Sequence, residues 1–219
     1  MLNQQIISSQ IEPLNYSQTV KDALYLMADN KLQQLPLVKD GLYEGLLSEE
    51  DLLDADGQDS LTNFQFDLLP YSVNALDHFL TAAKLTSEQR LKLIPVISGE
   101  KEYLGSITEE DLLRQFSRFN GVQERGALLV LSMNREDYST GQLSKLVETN
   151  DASITQLNTF FDEVTDKLIV TLRINKEEIS DILSTFQRYD YEVIFHAGQE
   201  QYENELRRNY FHLMNFLQM

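Results

Sequence analysis

The stretch YEGLLSEEDLL at residues 43–53 returns as YLGSITEEDLL at residues 103–113, sixty positions further along the chain. The tyrosine, the glycine and the closing Glu-Glu-Asp-Leu-Leu are the same in both copies. In each copy an apolar run ends at a Ser or Thr, a residue type that caps helices, and acidic residues follow where the helix dipole favours them. The pattern predicts a strand that leads directly into a helix, twice in one chain.

A second pair of matching stretches lies just upstream, where KLQQLPLV at 31–38 aligns with RLKLIPVI at 90–97 and a proline interrupts each apolar run. Before the first of these, apolar residues at spacings of three and four predict a helix from about Ser17 to Lys31. Repetition on this scale indicates two copies of one supersecondary unit. We expect the first copy in residues 1–60 and the second in residues 61–120.

Each copy combines the order β-α-β-β-α with Leu/Ile-Pro-Leu/Val before the hairpin and Gly-x-x-(Ser/Thr)-x-x-Asp-Leu-Leu after it. This combination resembles the CBS domain, and two copies in tandem resemble the usual CBS pair over roughly residues 1–118. The resemblance implies a non-catalytic regulatory protein. It also implies that an adenosine-containing nucleotide, the small-molecule effector, binds in a cleft between the repeats.

The resemblance assigns phosphate contacts to the Ser or Thr of the motif and ribose contacts to its Asp. A purely structural alternative stays open, in which the hydroxyl caps its helix and the carboxylate complements the helix dipole without any ligand. The implied ligand-contacting residues, including the residue before each proline, are Ser48, Asp51, Thr108, Asp111, Leu35 and Ile94.

Both motifs place two glutamates between the hydroxyl and the aspartate, at 49–50 and at 109–110. Two unit charges about 6 Å apart repel by roughly 3 kcal/mol at an effective dielectric constant near 20. A formal net charge of −17 on the whole chain adds to that penalty. We therefore expect adenosine or AMP to be favoured over ATP as the regulatory ligand.

The overall charge also narrows the classes of partner. With 35 acidic and 18 basic residues, the chain repels phosphate backbones and anionic lipid surfaces, so we expect no nucleic-acid and no membrane partner. The N-terminal stretch lacks the basic region and continuous apolar core of a signal peptide. No run approaches the roughly 20 apolar residues of a membrane span. We expect a cytoplasmic protein.

The sequence lacks the residue patterns that usually carry catalysis. It has no cysteine, which excludes disulfides, thiolate zinc sites and a cysteine nucleophile from this sequence. No HExxH, Walker, GxGxxG or GxSxG motif is present. The three histidines, His78, His196 and His212, are scattered, and His78 takes the helix-start position that Thr19 fills in the first repeat. We predict that the chain is not an enzyme and has no metal site.

From Gly126 onward the hydrophobic pattern changes to a new order of elements. Apolar runs and helical spacings alternate as β-α-β-β-α-β, the signature of a ferredoxin-like domain, over residues 126–198. The predicted fold class is therefore α/β (α+β), with a tandem CBS pair followed by this domain. The predicted strands are 127–133, 153–164, 167–174 and 191–197, and the predicted helices are 142–150 and 176–189.

Within that class the second half resembles the ACT domain, a small-molecule-sensing module that typically binds amino acids at dimer interfaces. The resemblance rests on the order of elements and on Gly141, which lies where the family has its ligand-loop glycine. It implies that an amino acid binds at Gly141. A CBS pair followed by an ACT domain resembles bacterial proteins grouped with an acetoin-utilisation regulator.

Residues 199–219 carry apolar residues at i, i+4 spacing, which predicts a terminal helix that packs either on the chain's own body or on a second chain. The pseudo-symmetry of the repeats and the strand-rich edges favour a homodimer. A second functional hypothesis also stays open. In it the protein binds no small molecule and acts as a dimeric scaffold that presents an acidic surface to a protein partner.

Overall fold

The computed structural model describes residues 1–8, 11–64 and 66–198, so the predicted helix at 199–219 lies outside the described residues. The chain divides into two compact units, Met1–Phe119 and Asn120–Met219. Each unit has its own hydrophobic core. None of the helices in the described part of the chain has the length and the apolar character that crossing a bilayer requires.

The first unit contains two copies of one small sheet, which confirms the predicted repeat of elements. In each copy a short strand pairs in parallel with the first strand of an antiparallel hairpin, giving the orders β1-β2-β3 and β4-β5-β6. The strands are β1 Leu14–Asn15, β2 Gln34–Lys39, β3 Leu42–Ser48, β4 Val73–Asn74, β5 Leu93–Ile97 and β6 Tyr103–Thr108.

In each copy one helix lies in sequence between the short strand and the hairpin, α1 at Val20–Asn30 and α2 at Phe79–Gln89. Helix α1 starts three residues later than predicted, because Thr19 caps it by accepting a hydrogen bond from the Asp22 N–H. In α2 the capping side chain is His78, whose Nδ1 accepts from the Leu80 N–H at 3.4 Å. The histidine therefore has a structural partner at the helix start, as its position predicted.

The two repeats differ after the shared motif. In the second repeat Thr108 is followed by an α-helix, α3 at Glu109–Phe119. The helix predicted after Ser48 is wrong, because the first repeat forms only a 3-10 turn at Glu50–Leu52. The residues that follow, Asp54-Ala-Asp-Gly57, are turn formers, and the Asp56 side chain accepts a hydrogen bond from the Gln58 N–H at 2.9 Å.

The repeats also exchange their leading segments. The first residues of the chain pack on the second repeat, where the Asn3 N–H donates to the Asp77 carbonyl at 2.9 Å. The segment that leads into the second repeat packs on the first, where the Leu61 N–H donates to the Gln18 carbonyl at 2.9 Å. The folded repeats are consequently interlocked, although the sequence repeats are contiguous.

The second unit is a four-stranded antiparallel sheet in the order β10-β7-β9-β8, with two helices between its strands in sequence. This is the ferredoxin-like arrangement that the sequence predicts. The strands are β7 Ala127–Met133, β8 Ile154–Asp162, β9 Lys167–Ile174 and β10 Glu192–Ala197, and the helices are α4 Thr140–Glu148 and α5 Ser180–Arg188.

Both helices pack on one face of that sheet. Leu129 and Leu131 of β7 are fully buried against Val147 of α4 and Phe186 of α5 in a single core. Helix α4 begins two residues earlier than predicted, because Ser139 caps it by accepting from the Gln142 N–H. Gly141 therefore lies in the first turn of a helix and not in the loop before it.

Candidate functional site

A cleft of about 670 Å³ opens in the first unit beside the start of α3. Its walls come from the N-terminal segment, the end of α1, the residue before β5 and the first turn of α3. The cleft lies within the volume range of small-molecule sites in proteins. It contains Thr108 and Asp111, two of the residues that the sequence predicts to contact a ligand.

Thr108 and Asp111 form a reciprocal cap at the start of α3. The Thr108 hydroxyl and N–H donate to Oδ2 of Asp111 at 2.6 and 3.1 Å, and the Asp111 N–H donates back to Oγ1 of Thr108 at 3.1 Å. These bonds satisfy backbone groups that a helix start otherwise leaves open. The capping that the structural alternative predicts is thus present, and the two capping side chains lie on the wall of the cleft.

The second oxygen of Asp111 is held by Arg114, one turn further along α3. Nη1 of Arg114 donates to Oδ1 of Asp111 at 3.0 Å, and Nη2 donates to Oε1 of Glu110 at 2.9 Å. The Asp111 side chain is only 14% exposed, whereas that of Glu110 is 82% exposed. Arg114 therefore pairs with two carboxylates of the cleft wall and offsets the charge of one of them.

The charged residues of the cleft wall do not balance. Two cations, Lys92 and Arg114, stand against four carboxylates, which leaves a formal charge of −2 (2 − 4). Such a surface opposes a ligand with several negative charges and tolerates a neutral or weakly charged one. The carboxylates are those of Asp29, Glu109, Glu110 and Asp111.

The wall of the cleft also includes the apolar residues Ile7, Ile11 and Leu32. Sequence reasoning did not find these residues or Lys92, since no local motif marks them. Ile7 reaches the cleft because the N-terminal segment crosses to the second repeat, where the Ser8 N–H donates to the Ser106 carbonyl at 2.8 Å. That crossing brings Ile7 to the cleft beside the start of α3.

The corresponding pair of the first repeat lies elsewhere. The Ser48 hydroxyl donates to Oδ2 of Asp51 at 2.6 Å, but neither residue lines the cleft beside α3. Leu35 and Ile94, the residues before the two prolines, are fully buried in the core of the first unit. Their side chains offer no exposed surface to a ligand.

The second unit has a separate cleft of about 640 Å³ between the end of β7 and the start of β10. Lys167 lies on its wall and donates to the side-chain oxygen of Asn134 at 2.7 Å. Burial, helped by the nearby charge of Asp137, raises the pKa of the Tyr191 hydroxyl on the same wall. Gly141 is not part of this wall, and a methyl group there would touch nothing within 4 Å.

Across residues 1–8, 11–64 and 66–198, no group of three or more His, Asp or Glu side chains is placed to hold an ion. Glu109 and Glu110 of the second motif are adjacent residues of α3, and adjacent residues of a helix do not face each other.

A family model for the CBS domain matches residues 4–57 and 70–118. Among solved structures, a CBS domain pair/ACT domain protein from Thermotoga maritima is 23% identical, with a TM-score of 0.50, over 54% of this chain and 98% of that chain. A putative acetoin utilization protein from Vibrio cholerae is 20% identical, with a TM-score of 0.47, over 56% and 95%. CBSX2 in complex with AMP is 20% identical, with a TM-score of 0.45, over 54% and 97%.

At these identities the solved structures are similar in fold alone. The two segments that the family model matches lie in the first unit, one in each repeat. The second unit has the ferredoxin-like order of strands. Its further resemblance to the ACT domain stays a prediction. The first unit of this chain is a tandem pair of CBS domains.

Proposed function

We propose that this chain is a non-catalytic regulatory protein whose CBS pair binds adenosine or AMP in the cleft beside α3. CBS domain pairs are regulatory modules and often bind adenosine nucleotides. One observation carries the proposal for this chain. The apolar side of the cleft at Ile7 and Ile11 faces the same space as the Thr108–Asp111 pair.

The chemistry of that wall suits a nucleoside. The isoleucine side chains provide an apolar surface. A planar base that packs its face on this surface removes apolar area from water, and the face itself gives up no hydrogen bonds. Asp111 is a carboxylate at a helix start and can accept from both ribose hydroxyls. In the bound state Oδ1 of Asp111 exchanges the Arg114 guanidinium for ribose, and Arg114 turns toward the phosphate of AMP.

The same wall disfavours ATP. The wall carries a formal charge of −2 and the whole chain carries a net charge of −17, so both repel each further phosphate of the ligand. A nucleoside carries no charge, and the single phosphate of AMP can be met by Lys92 and Arg114. We therefore rank adenosine and AMP ahead of ATP.

The first repeat is proposed to bind no such ligand. Gln33 takes the place of Lys92 in the first repeat. The two positions are equivalent, because the Glu49 N–H donates to the Gln33 carbonyl and the Glu109 N–H donates to the Lys92 carbonyl. Asp54 stands sixty positions before Arg114. The first motif thus has the carboxylates of the second without either of its cations.

Ligand binding at this cleft provides a route to regulation. The end of α1 at Asp29 and Asn30 belongs to the first repeat, whereas the start of α3 belongs to the second. A ligand that contacts both the end of α1 and the start of α3 favours the conformation in which these two elements lie close together. Binding therefore shifts the population toward that conformation.

The experiment is a thermal-shift series on the full chain with adenosine, AMP and ATP. At about 100 times its dissociation constant a ligand stabilises the fold by roughly 2.7 kcal/mol, so adenosine and AMP are expected to raise the melting temperature. Asp111→Asn is expected to abolish the shift, and Asp51→Asn, the matched change in the first repeat, to preserve it. A folded protein that responds to none of the three, or that loses its response only through Asp51→Asn, would overturn the proposal.

A dimeric scaffold without a small molecule is the second candidate function. It is favoured by the exposed aromatic side chains of the second unit, Phe160 on β8 and Phe195 on β10, which are 60% and 51% exposed. We propose that the chain forms a homodimer in either case. Sedimentation would show a dimer that Phe195→Asp dissociates, and the scaffold would be favoured by such a dimer together with a flat ligand series.

A further inference from the structure

We infer that Arg114 and Glu110 set the charge selectivity of the cleft, with Arg114 acting as a counter-ion that an anionic ligand must take from Glu110. The inference rests on the proposed function, because it concerns the ligand of the same cleft. It assigns the preference for weakly charged ligands to one exposed ion pair on α3.

The guanidinium of Arg114 is engaged before any ligand arrives. Its two terminal nitrogens donate to Asp111 and to Glu110 at 3.0 and 2.9 Å. A phosphate is held best by two parallel N–H donors of one guanidinium. Two of the five guanidinium N–H groups are already in use, so a phosphate competes with the two carboxylates for the position and the charge of Arg114.

Lys92 gives the cleft a second and different cation. Within the described part of the chain, the Lys92 ammonium forms no ion pair with a carboxylate. It can meet one phosphate without disturbing α3. A single phosphate can therefore rely on Lys92 together with Arg114, whereas a triphosphate needs more of Arg114 and exposes Glu110 and Asp111 to the added charge.

A neutral ligand does not draw on this pair. Adenosine has no group that attracts Arg114 away from Glu110, and Glu110 is 82% exposed at the rim of the cleft. Removing the Glu110 charge should leave adenosine affinity within about twofold. The same change should strengthen ATP by about tenfold and AMP by a smaller factor, since tenfold corresponds to roughly 1.4 kcal/mol of removed repulsion.

The first repeat supplies the matched control. Glu50 stands in the same place in its motif as Glu110, but Asp54 replaces Arg114 and the residue does not line the cleft. Glu50→Gln removes the same charge from the chain as Glu110→Gln. If only the total charge of the chain mattered, the two substitutions would change ATP affinity equally.

The test is isothermal titration of the full chain with adenosine, AMP and ATP for the wild type, Glu110→Gln, Glu50→Gln and Arg114→Gln. We expect Glu110→Gln to raise the ratio of ATP to adenosine affinity about tenfold and Glu50→Gln to leave it unchanged. Arg114→Gln should weaken AMP several-fold relative to adenosine. Circular dichroism verifies that each variant is folded.

Two failures are distinguishable. If the wild type binds adenosine but Glu110→Gln leaves the ratio unchanged, or Glu50→Gln changes it equally, the inference about Arg114 and Glu110 is overturned while the proposed function stands. If the folded wild type binds none of the three ligands, the proposed function fails and the inference fails with it.

Discussion

The two CBS repeats make the same local contact and build different structures on it. Ser48 donates to Asp51, and Thr108 donates to Asp111, each at 2.6 Å. After the first pair the chain makes a 3-10 turn, and after the second it forms α3. The comparison teaches that a four-residue motif places a carboxylate but does not decide whether a helix follows.

The residues beyond the motif make the difference. Arg114 bonds to Glu110 and Asp111 across one turn of α3, which stabilises a helix at these spacings. Asp54 in the same place of the first repeat adds a third negative charge next to Glu50 and Asp51. Like charges at these spacings destabilise a helix by a similar amount.

Tertiary packing strengthens the same difference. Helix α3 extends far enough to place Phe116 and Phe119 against Phe79 of α2, with ring centroids 5.3 and 5.4 Å apart. In the first repeat the chain instead turns back at Gly57, whose carbonyl accepts from the Lys21 N–H at 3.0 Å. Each repeat thus covers its first helix by a different device.

The largest effect is expected at the two glycines that the repeats share. Gly105 has a φ of +138°, and a methyl group there would overlap the Ile7 side chain, so Gly105→Ala should lower the free energy of unfolding by about 2–4 kcal/mol. Gly45→Ala would overlap Leu68 without the unfavourable φ and should cost less. Urea denaturation followed by far-UV circular dichroism measures both losses.

Gly141→Ala is the control for this pair. Its methyl group would meet nothing within 4 Å, and it lies in a helix, so a small gain in stability is expected. Equal losses at Gly105 and Gly45 would contradict the role of backbone conformation. No loss at Gly105 would contradict the crossing of the N-terminal segment over that glycine.

The next effect is a loss of stability at high pH. Burial raises the pKa of Tyr43 and of its repeat partner Tyr103 above the ordinary value of 10.0. Above that pH the unfolded chain loses protons that the folded chain keeps, so the free energy of unfolding falls by about 1.4 kcal/mol per pH unit for each tyrosine. Below pH 10 this contribution is fully present.

The repeats should differ in the pH range over which this loss continues. The Tyr43 hydroxyl donates to the Tyr71 carbonyl, which cannot stabilise a phenolate, whereas Tyr103 is bonded to the Ser106 hydroxyl, which lowers its pKa again. The loss from each tyrosine ends at its own folded-state pKa, so Tyr43→Phe should remove a larger total loss than Tyr103→Phe in urea titrations that begin at pH 8 and continue above pH 11. Equal total losses for the two variants would contradict the effect of the Ser106 hydrogen bond.

The smallest effect tests the caps. Asp111→Ala removes the carboxylate that accepts from the Thr108 N–H and hydroxyl at the start of α3, and should cost about 1 kcal/mol of unfolding free energy. Asp51→Ala should cost less, because Asp111 also accepts from Arg114 at 3.0 Å, whereas Asp54 occupies the place of that arginine in the first repeat. Melting curves of the two ligand-free variants measure the difference, and equal costs would contradict it.

Much of the fold was predictable because it depends on short-range patterns. The repeat at 43–53 and 103–113, the hairpins behind the prolines and the ferredoxin-like order of the second unit are all present. The helix after Ser48 was not predictable from the motif. The helix is absent because the charge of Asp54 and the turn at Asp56 oppose it. Both act against the N-terminal cap, which by itself favours a helix.

The candidate site was predictable only in part. Thr108 and Asp111 line the cleft, but Leu35 and Ile94 are buried in the core and Ser48 lies away from it. Whether a residue is buried depends on which elements pack together. A position next to a proline in the sequence does not predict it. The ligand roles of these residues stay predictions that the titrations above test.

The sequence by itself determined the repeat, its strands and capped helices, and the acidic character of the protein, because spacing, capping and charge are properties of neighbouring residues. Only the tertiary structure decided that the repeats exchange their leading segments and that Ile7 meets Lys92 and α3 in one cleft. Those contacts join residues up to about a hundred positions apart. They depend on which apolar surfaces can be buried together, and no local pattern specifies that.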